Sequence, residues 1–323
     1  MKILVTGGAG FIGSHVSERL LRRGDAVVAL DNFNDYYSPA RKRANAAILA
    51  AYPNARVVEA DIRDSETIDA LFAHEKFDRI VHIAAMANVR YSLKQPALVV
   101  DVNIMGTRNL LEAARTHGVQ HFVFASTSSV YGRTDKIPFV ETDPTDQPLA
   151  PYPATKKAGE VLAYAYHIAY GLKCRVLRFF NVYGPRGRPD MAPYMFTEHV
   201  LRGEPITLFD EGRPQRDWTY IDDTAAGVIA ALDADFDYEI FNLGRGQPVV
   251  LNEFVRIIES LTGRQAITQP APLPDTEPLI TYSDTSKAAR LLDYHPTVSL
   301  ADGLSRFWEW YKENAECRMT NAE

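Results

Sequence analysis

The feature that most constrains the fold lies within the first 13 residues. A short apolar run, Ile3 to Val5, leads into Gly7-Gly-Ala-Gly10-Phe-Ile-Gly13, and an amphipathic stretch begins at Phe11. Glycines at this spacing let a strand turn tightly into a helix, because a Cβ atom would obstruct the close approach of the backbone. The positive end of such a helix favours an anion. The segment therefore predicts a strand, a phosphate-binding turn and a helix.

Short β-branched runs and amphipathic stretches alternate through the first half of the chain. This alternation predicts an α/β fold, a doubly wound parallel sheet with helices on both faces and right-handed crossovers. The predicted strands are Ile3–Val5, Ala26–Leu30, Arg56–Glu59, Arg79–Ala84, His121–Phe124 and Arg175–Phe179. The predicted helices are Phe11–Arg23, Ala40–Ala51, Ser65–His74, Leu98–Thr116 and Tyr152–Tyr170.

The character of the chain changes after residue 180, where prolines interrupt the sequence. We expect residues 1–180 to form the cofactor domain, with later returns near 217–243 and 279–290. Residues 181–323 are expected to form a smaller, discontinuous, mixed α/β C-terminal substrate-binding region. Its predicted helices are Tyr194–Arg202, Asn252–Leu261, Ser286–Leu292 and Ala301–Asn314.

Composition excludes several classes of protein. A net charge of −6 argues against nucleic acid as a partner. Two cysteines, Cys174 in an apolar run and Cys317 in the polar tail, make a disulfide framework improbable. Met1 leads straight into the first strand with no apparent signal peptide, and no apolar run has the length of a membrane span. We expect a soluble, cytoplasmic protein with no membrane partner, and the histidine spacing predicts no metal site.

Polar and small residues follow the later strands of the predicted sheet. Asp31 ends the second strand, 18 residues after Gly13, and Asn32 follows it. A carboxylate there accepts hydrogen bonds from the adenosine ribose and repels a 2′-phosphate, which predicts NAD rather than NADP; a loop-capping aspartate is the alternative. Asp61 and Ile62 after the third strand, and Ala84 and Ala85 after the fourth, are expected at the same sheet edge and contribute to the NAD site.

Tyr152 and Lys156 form a candidate acid/base pair. Positions four apart share a helix face, and a nearby ammonium lowers the pKa of a phenol, so Lys156 is expected to lower that of Tyr152. A chance pair on a solvated helix is the alternative. Thr127, 25 residues upstream at the end of an apolar run, is the third candidate.

With the glycine loop, Thr127, Tyr152 and Lys156 in order, the chain resembles the extended short-chain dehydrogenase/reductase family over nearly its whole length, and within it the nucleotide-sugar epimerases. The resemblance implies a Rossmann fold and NAD. It implies that Thr127 hydrogen-bonds the reacting hydroxyl, that Tyr152 is the acid/base, and that Lys156 also holds the nicotinamide ribose. Asn103 matches a structural position near the active site and is included with the cofactor residues.

Three longer motifs are similar to those of the UDP-glucuronate 4-epimerase subgroup: Asp31 to Tyr37, Ala125 to Gly132, and Arg178 to Ala192. The resemblance implies conversion of UDP-glucuronate to UDP-galacturonate through a 4-keto sugar, with hydride returned to the sugar. The subgroup commonly has Thr at the position of Asn181, whereas general sugar-nucleotide epimerases have Asn. An epimerase of UDP-glucose or UDP-N-acetylglucosamine is therefore the alternative.

The resemblance also implies substrate contacts. Ser128 and Ser129 occupy positions where dehydratases and decarboxylases carry carboxylates, so elimination has no base there; serines that satisfy the loop backbone are the alternative. The implied ligands are Arg188 for the sugar carboxylate, Arg216 and Asn181 for the diphosphate, and Thr207 and Phe209 for the uracil. A late arginine of many relatives is absent from Leu273–Pro278, with Arg213 as a possible replacement.

Two further expectations complete the interpretation. A nucleotide-sugar dehydratase or decarboxylase, or a non-catalytic NAD sensor, remains a less favoured function, since sensors of this fold typically lose the Tyr/Lys pair. Family members usually dimerise through helices on the sheet flank, which implies a homodimer through Leu98–Thr116 and Tyr152–Tyr170.

Overall fold

The computed structural model describes residues 1–314, and Cys317 lies outside them. The strands are β1 (Lys2–Thr6), β2 (Ala26–Asp31), β3 (Ala55–Glu59), β4 (Arg79–His82), β5 (His121–Thr127), β6 (Lys173–Phe179), β7 (Asn181–Tyr183), β8 (Pro205–Phe209), β9 (Gln215–Tyr220), β10 (Tyr238–Leu243), β11 (Pro248–Val250), β12 (Ile267–Ala271) and β13 (Ile280–Thr281). The α-helices are α1 (Phe11–Arg23), α2 (Pro39–Ala50), α3 (Ser65–Glu75), α4 (Val89–Lys94), α5 (Pro96–Val100), α6 (Gly106–Thr116), α7 (Pro151–Tyr170), α8 (Ala192–Arg202), α9 (Ile221–Asp233), α10 (Leu251–Thr262), α11 (Ser286–Leu292) and α12 (Leu300–Glu313).

Seven parallel strands form the central sheet in the order β10-β6-β5-β4-β1-β2-β3. Successive side chains of a strand face opposite sides of a sheet. In β1, Ile3 and Val5 belong to one apolar core with α1 and α9, whereas Leu4 belongs to the other core with α3 and α6. The predicted doubly wound parallel sheet is confirmed.

The second region contains two small sheets. Strand β9 pairs with β7, β11 and β13, and β8 pairs in parallel with β12. Asn181, the first residue of β7, lies beside Trp218 of β9. This pairing places the second region against the carboxyl edge of the central sheet. The proposed division into residues 1–180 and 181–323 stays a prediction.

One helical prediction differs from the structure. The predicted helix Leu98–Thr116 is two helices, α5 and α6, separated by a π-helical turn at Asp101–Met105. Single π-helical turns of this kind are rare and are frequently found at functional sites. Here the Asn103 side chain bonds Met86 and Thr155, far from it in sequence. None of the helices in residues 1–314 combines the length and apolar character that a membrane span needs.

Candidate active site

A cavity of about 500 Å³ lies at the carboxyl edge of the central sheet and extends under the second region. Ligands of open α/β sheets bind at this edge. Most of the residues predicted from the sequence line this one cavity: Gly7, Gly10, Phe11, Ile12, Gly13, Asp31, Asn32, Asp61, Ile62, Ala84, Ala85, Thr127, Ser128, Ser129, Tyr152, Lys156, Asn181 and Arg188.

The glycine turn is built for close contact with an anion. Gly10 N–H donates to the Gly7 carbonyl at 3.0 Å, and Gly7 has φ +66°. A Cβ on Gly13 would lie 2.0 Å from the Gly7 oxygen, so only glycine fits there. Gly10 is the N-cap of α1 and has no side chain to cap it. The first-turn amides therefore have no side-chain acceptor and, with the helix dipole, suit the pyrophosphate of a dinucleotide.

Asp31 and Asp61, two carboxylates that line the cavity, contact neighbouring polar groups. Asp31 Oδ1 accepts from Phe33 N–H at 2.9 Å and lies 3.8 Å from the ammonium of Lys42. Burial lowers the pKa of Lys42, while Asp31 raises it. Asn32 Nδ2 donates to Asp61 at 2.9 Å. Asp31 and Asn32 thus present fixed oxygen acceptors, and Lys42 is a nearby cation that the sequence interpretation did not include.

Thr127 and Tyr152 both line the cavity, and their hydroxyl groups are within hydrogen-bonding reach of each other. Thr127 ends β5, and its hydroxyl oxygen accepts from Ser129 N–H at 3.2 Å. Tyr152 lies in the first turn of α7, which begins at Pro151. Burial raises the pKa of the Tyr152 phenol, while hydrogen bonding with Thr127 and the charge of Arg188 lower it. The two hydroxyls can therefore share a proton with a third hydroxyl placed between them.

Lys156 lies one helical turn after Tyr152 and is 3% exposed. Its ammonium lies 4.3 Å from the centre of the Phe124 ring. Burial lowers the pKa of Lys156 to about 7, and Glu160 opposes that shift. The pKa of Tyr152 is raised, because the phenol's own burial outweighs its hydrogen bond with Thr127 and the charge of Arg188. The expected lowering of this pKa by Lys156 stays a prediction.

Arg188 is anchored by a carboxylate two residues away. Its Nε and Nη2 donate to the two Asp190 oxygens at 2.9 and 2.6 Å, and Nη1 donates to the Ala87 carbonyl at 2.6 Å. Although burial raises the pKa of Asp190, Arg188 lowers it to about 2. A guanidinium has five N–H groups, so two on Arg188 remain for a ligand. Tyr36 and Asn88 also donate to Asp190, at 2.8 and 2.7 Å.

Four predicted site residues do not line the cavity. Asn103 is 2% exposed, and its amide joins the Met86 backbone to Thr155, so it is a structural link rather than a cofactor ligand. Thr207 is exposed on β8, and the Phe209 ring carries the Arg90 guanidinium at 4.8 Å. Arg216 donates to Glu277 at 3.1 Å. The last three lie in the second region, whose position relative to the sheet the sequence did not define.

Several cavity residues were not singled out from the sequence. Tyr36 and Tyr37 line the cavity, as do Lys42 and Met86. The tyrosines belong to the motif Asp31–Tyr37, and this motif is the sequence signal that could have predicted their place in the site. Lys42 lies within α2 and carried no signal, because its approach to Asp31 depends on how α2 packs. Within residues 1–314, no group of three acidic, histidine or cysteine side chains has the arrangement of a metal site.

The chain is similar to proteins of known function. The model of the NAD dependent epimerase/dehydratase family matches residues 3–244. The chain is 45% identical to UDP-glucuronate 4-epimerase 4 of Arabidopsis thaliana over 96% of its length and 75% of the relative's. It is 43% identical to the UDP-glucuronate 4-epimerase of Thermodesulfobacterium geofontis, over 97% of both chains.

Among solved structures, a similar one is UDP-glucuronic acid 4-epimerase from Bacillus cereus in complex with UDP-glucuronic acid and NAD. The TM-score is 0.91 at 37% identity, over 97% of this chain and 99% of that one.

Proposed function

The chain belongs to the NAD dependent epimerase/dehydratase family, and we propose that it epimerises C4 of a UDP-sugar, with UDP-glucuronate as its substrate and UDP-galacturonate as its product. The observation that carries the proposal is one cavity that joins the glycine turn, the Thr127/Tyr152 pair and an arginine, with Ser128 and Ser129 beside them. The relatives named as UDP-glucuronate 4-epimerases support the choice of sugar.

The residues of the cavity fit NAD. The uncapped N-terminus of α1 suits its pyrophosphate, and Asp31 suits the adenosine ribose hydroxyls. NAD⁺, when bound, supplies an acceptor that takes a hydride from C4 and gives it back. No net oxidation occurs in an epimerisation, so NAD acts as a retained cofactor.

The protein's own side chains move the proton. Tyr152 acts as the phenolate, the form that the hydrogen bond with Thr127 and the charge of Arg188 favour. It takes the proton of the C4 hydroxyl as that carbon is oxidised to a ketone, and Thr127 holds the hydroxyl in line. Rotation of the keto sugar presents its other face, and Tyr152 returns the proton when C4 is reduced with inverted configuration. Lys156, behind Tyr152, is proposed to hold the nicotinamide ribose. Tight binding of the nucleotide and loose binding of the sugar are what this sequence of steps requires.

Ser128 and Ser129 distinguish this site from that of an enzyme that eliminates water from the keto sugar. Both line the cavity directly after Thr127. Neither side chain can act as a carboxylate base, so the keto sugar has no group there to remove a C5 proton. Their hydroxyls donate hydrogen bonds to an anion without repelling it, which suits the C6 carboxylate of a uronic acid. The cavity therefore favours return of the hydride over loss of water.

Arg188 is proposed as the charged ligand of that carboxylate. The two N–H groups that its contacts with Asp190 and Ala87 leave free are enough for a bidentate pair. The second candidate function is epimerisation of UDP-glucose or its N-acetyl analogue. Two observations favour it: Asn181 lines the cavity where the subgroup commonly has Thr, and Asp190 already offsets the charge of Arg188.

A panel of UDP-sugars tests the choice. The purified protein and its Arg188→Ala variant are assayed on UDP-glucuronate and UDP-glucose by NMR of the anomeric protons. We expect turnover of UDP-glucuronate and a loss in Arg188→Ala that is confined to this acidic substrate. Faster turnover of UDP-glucose by the parent protein would favour the second candidate. A 4-keto-6-deoxy or pentose product would show that the cavity supports elimination or decarboxylation.

We also propose that the protein acts as a homodimer in the cytoplasm. Three apolar side chains on one face of α7, Val161, Tyr164 and Ile168, are at least half exposed. Met105, in the neighbouring π-helical turn, is 45% exposed. An exposed apolar helix face of this kind is typical of a subunit interface. Light scattering of the parent protein and of Ile168→Glu tests this, with a dimer that becomes a monomer as the expected result.

A further inference from the structure

One carboxylate, that of Glu277, is shared by two arginines at the edge of the second region. Arg90 Nη2 donates to Glu277 Oε1 at 2.6 Å, and Arg216 Nη2 donates to Oε2 at 3.1 Å. The three residues come from α4, from β9 and from the segment before β13, so only the folded chain brings them together. We refer to Arg90 and Arg216 as the arginine pair.

Neither arginine lines the cavity, but Arg90 lies between two residues that do. Val89 and Tyr91, on either side of Arg90, both line it. On the other side, β7 and β9 pair so that Asn181 faces Trp218, two residues after Arg216. With strands about 4.8 Å apart and a rise of about 3.3 Å per residue, the backbones of Arg216 and Asn181 lie roughly 8 Å apart. A ligand that contacts Asn181 can therefore extend to the arginine pair.

The arginine pair has more positive charge and more donors than Glu277 can satisfy. Two guanidinium groups face a single carboxylate, which leaves a net positive charge. Of the five N–H groups of Arg90, one donates to a group among residues 1–314. Its side chain is 54% exposed, over the face of Phe209. Arg216 is 13% exposed and uses three N–H groups, on Gln215, Leu279 and Glu277.

We propose that Arg90 joins Arg216 in binding the diphosphate of the UDP-sugar, and that Glu277 is an internal counter-ion which the diphosphate displaces. The inference rests on the proposed function, because a nucleoside diphosphate is the ligand whose charge matches two arginines. Displacement exchanges one carboxylate for two phosphate groups and leaves both guanidinium groups paired.

Arg90 thereby occupies the role of the late arginine that Leu273–Pro278 lacks. The sequence suggested Arg213 for that role, but the structure argues against it. Arg213 pairs with Asp210, three residues before it, and its side chain is 67% exposed. Arg213 is therefore a matched control, an arginine of the same region that contacts neither Glu277 nor Phe209.

The test measures binding of UDP and UMP by calorimetry to the full-length protein and to three variants. In Arg90→Ala we expect UDP to bind about tenfold more weakly or worse, the loss of one charged hydrogen bond, with a smaller loss for UMP. In Glu277→Gln we expect UDP to bind severalfold more tightly, because the competing carboxylate is gone. Arg213→Ala should stay within about twofold of the parent, a difference well below one charged contact.

The sign of the Glu277→Gln effect decides between a counter-ion and a structural anchor. Weaker UDP binding in Glu277→Gln, at an unchanged melting temperature, would show that Glu277 only holds its loop, and the inference would fail. Unchanged UDP binding in Arg90→Ala would also overturn it. Either result leaves the proposed function standing as long as the parent protein binds UDP. A parent protein that does not bind UDP would remove both.

Discussion

Replacement of Lys156 by methionine should abolish activity and at the same time stabilise the fold. Lys156 is 3% exposed, and its ammonium lies 4.3 Å from the centre of the Phe124 ring. Burial without a direct carboxylate partner disfavours the charged form, which is why its pKa falls from 10.5 to about 7. Methionine has a similar length and no charge to bury.

The size of the expected stabilisation follows from how far the pKa of Lys156 falls. At 1.36 kcal/mol per unit, the fall from 10.5 to about 7 corresponds to about 5 kcal/mol of destabilisation when the solution is acidic enough to keep Lys156 protonated in both states. Above pH 7 the folded lysine releases its proton while the unfolded one keeps it. The unfolded state then binds more protons, so the penalty declines as the pH rises from 7 towards 10.5.

Thermal melting of nucleotide-free protein at pH 6 and pH 9.5 measures the effect. We expect Lys156→Met to melt well above the parent at pH 6 and close to it at pH 9.5. Lys157→Met is the matched control. Its side chain is 30% exposed and its ammonium lies 3.3 Å from Glu160, so its removal takes away a favourable ion pair and should not stabilise the fold at either pH. A Lys156→Met protein that melts below the parent at pH 6, or a gap that does not shrink at pH 9.5, would refute the reasoning.

Other changes test the site directly. Tyr152→Phe should lower turnover at least about 100-fold, since general acid/base catalysis is lost, while its melting temperature stays near that of the parent; activity within tenfold would contradict the role. Gly13→Ala should lose its bound NAD, measured by release and chromatography, because the new Cβ would lie 2.0 Å from the Gly7 oxygen. Gly10→Ala, where that distance is 3.1 Å, should lose less. Ser129→Glu should raise KM for UDP-glucuronate more than for UDP-glucose through like-charge repulsion, and equal changes would argue against a nearby carboxylate.

The sheet and its cofactor edge could be predicted because their signals are local. The apolar run before Gly7 indicates the first strand, and the carboxylate of Asp31 marks the end of the second strand. Thr127, Tyr152 and Lys156 were expected together because the chain resembles the extended short-chain dehydrogenase/reductase family at these positions. Asp31, Thr127, Tyr152 and Lys156 all line the cavity.

What the sequence did not reveal depends on long-range packing. Asn103 was included with the cofactor residues, but its amide joins Met86 to Thr155 and lies within the π-helical turn. Asp190, the partner of Arg188, also accepts from Tyr36 and Asn88, which lie 154 and 102 positions away in the sequence. The Asn103 amide bonds residues 17 and 52 positions away. No pattern within one segment predicts contacts of this kind.

The central claim is that hydride leaves C4 of the sugar and returns to it. The most direct measurement uses UDP-glucuronate with deuterium at C4, incubated with the purified protein without added NAD and followed by NMR and mass spectrometry. We predict UDP-galacturonate that retains the deuterium at C4, because the hydride is held on the bound cofactor and Tyr152 exchanges only the hydroxyl proton. Loss of the deuterium to solvent, or the absence of any new anomeric signal, would contradict the account.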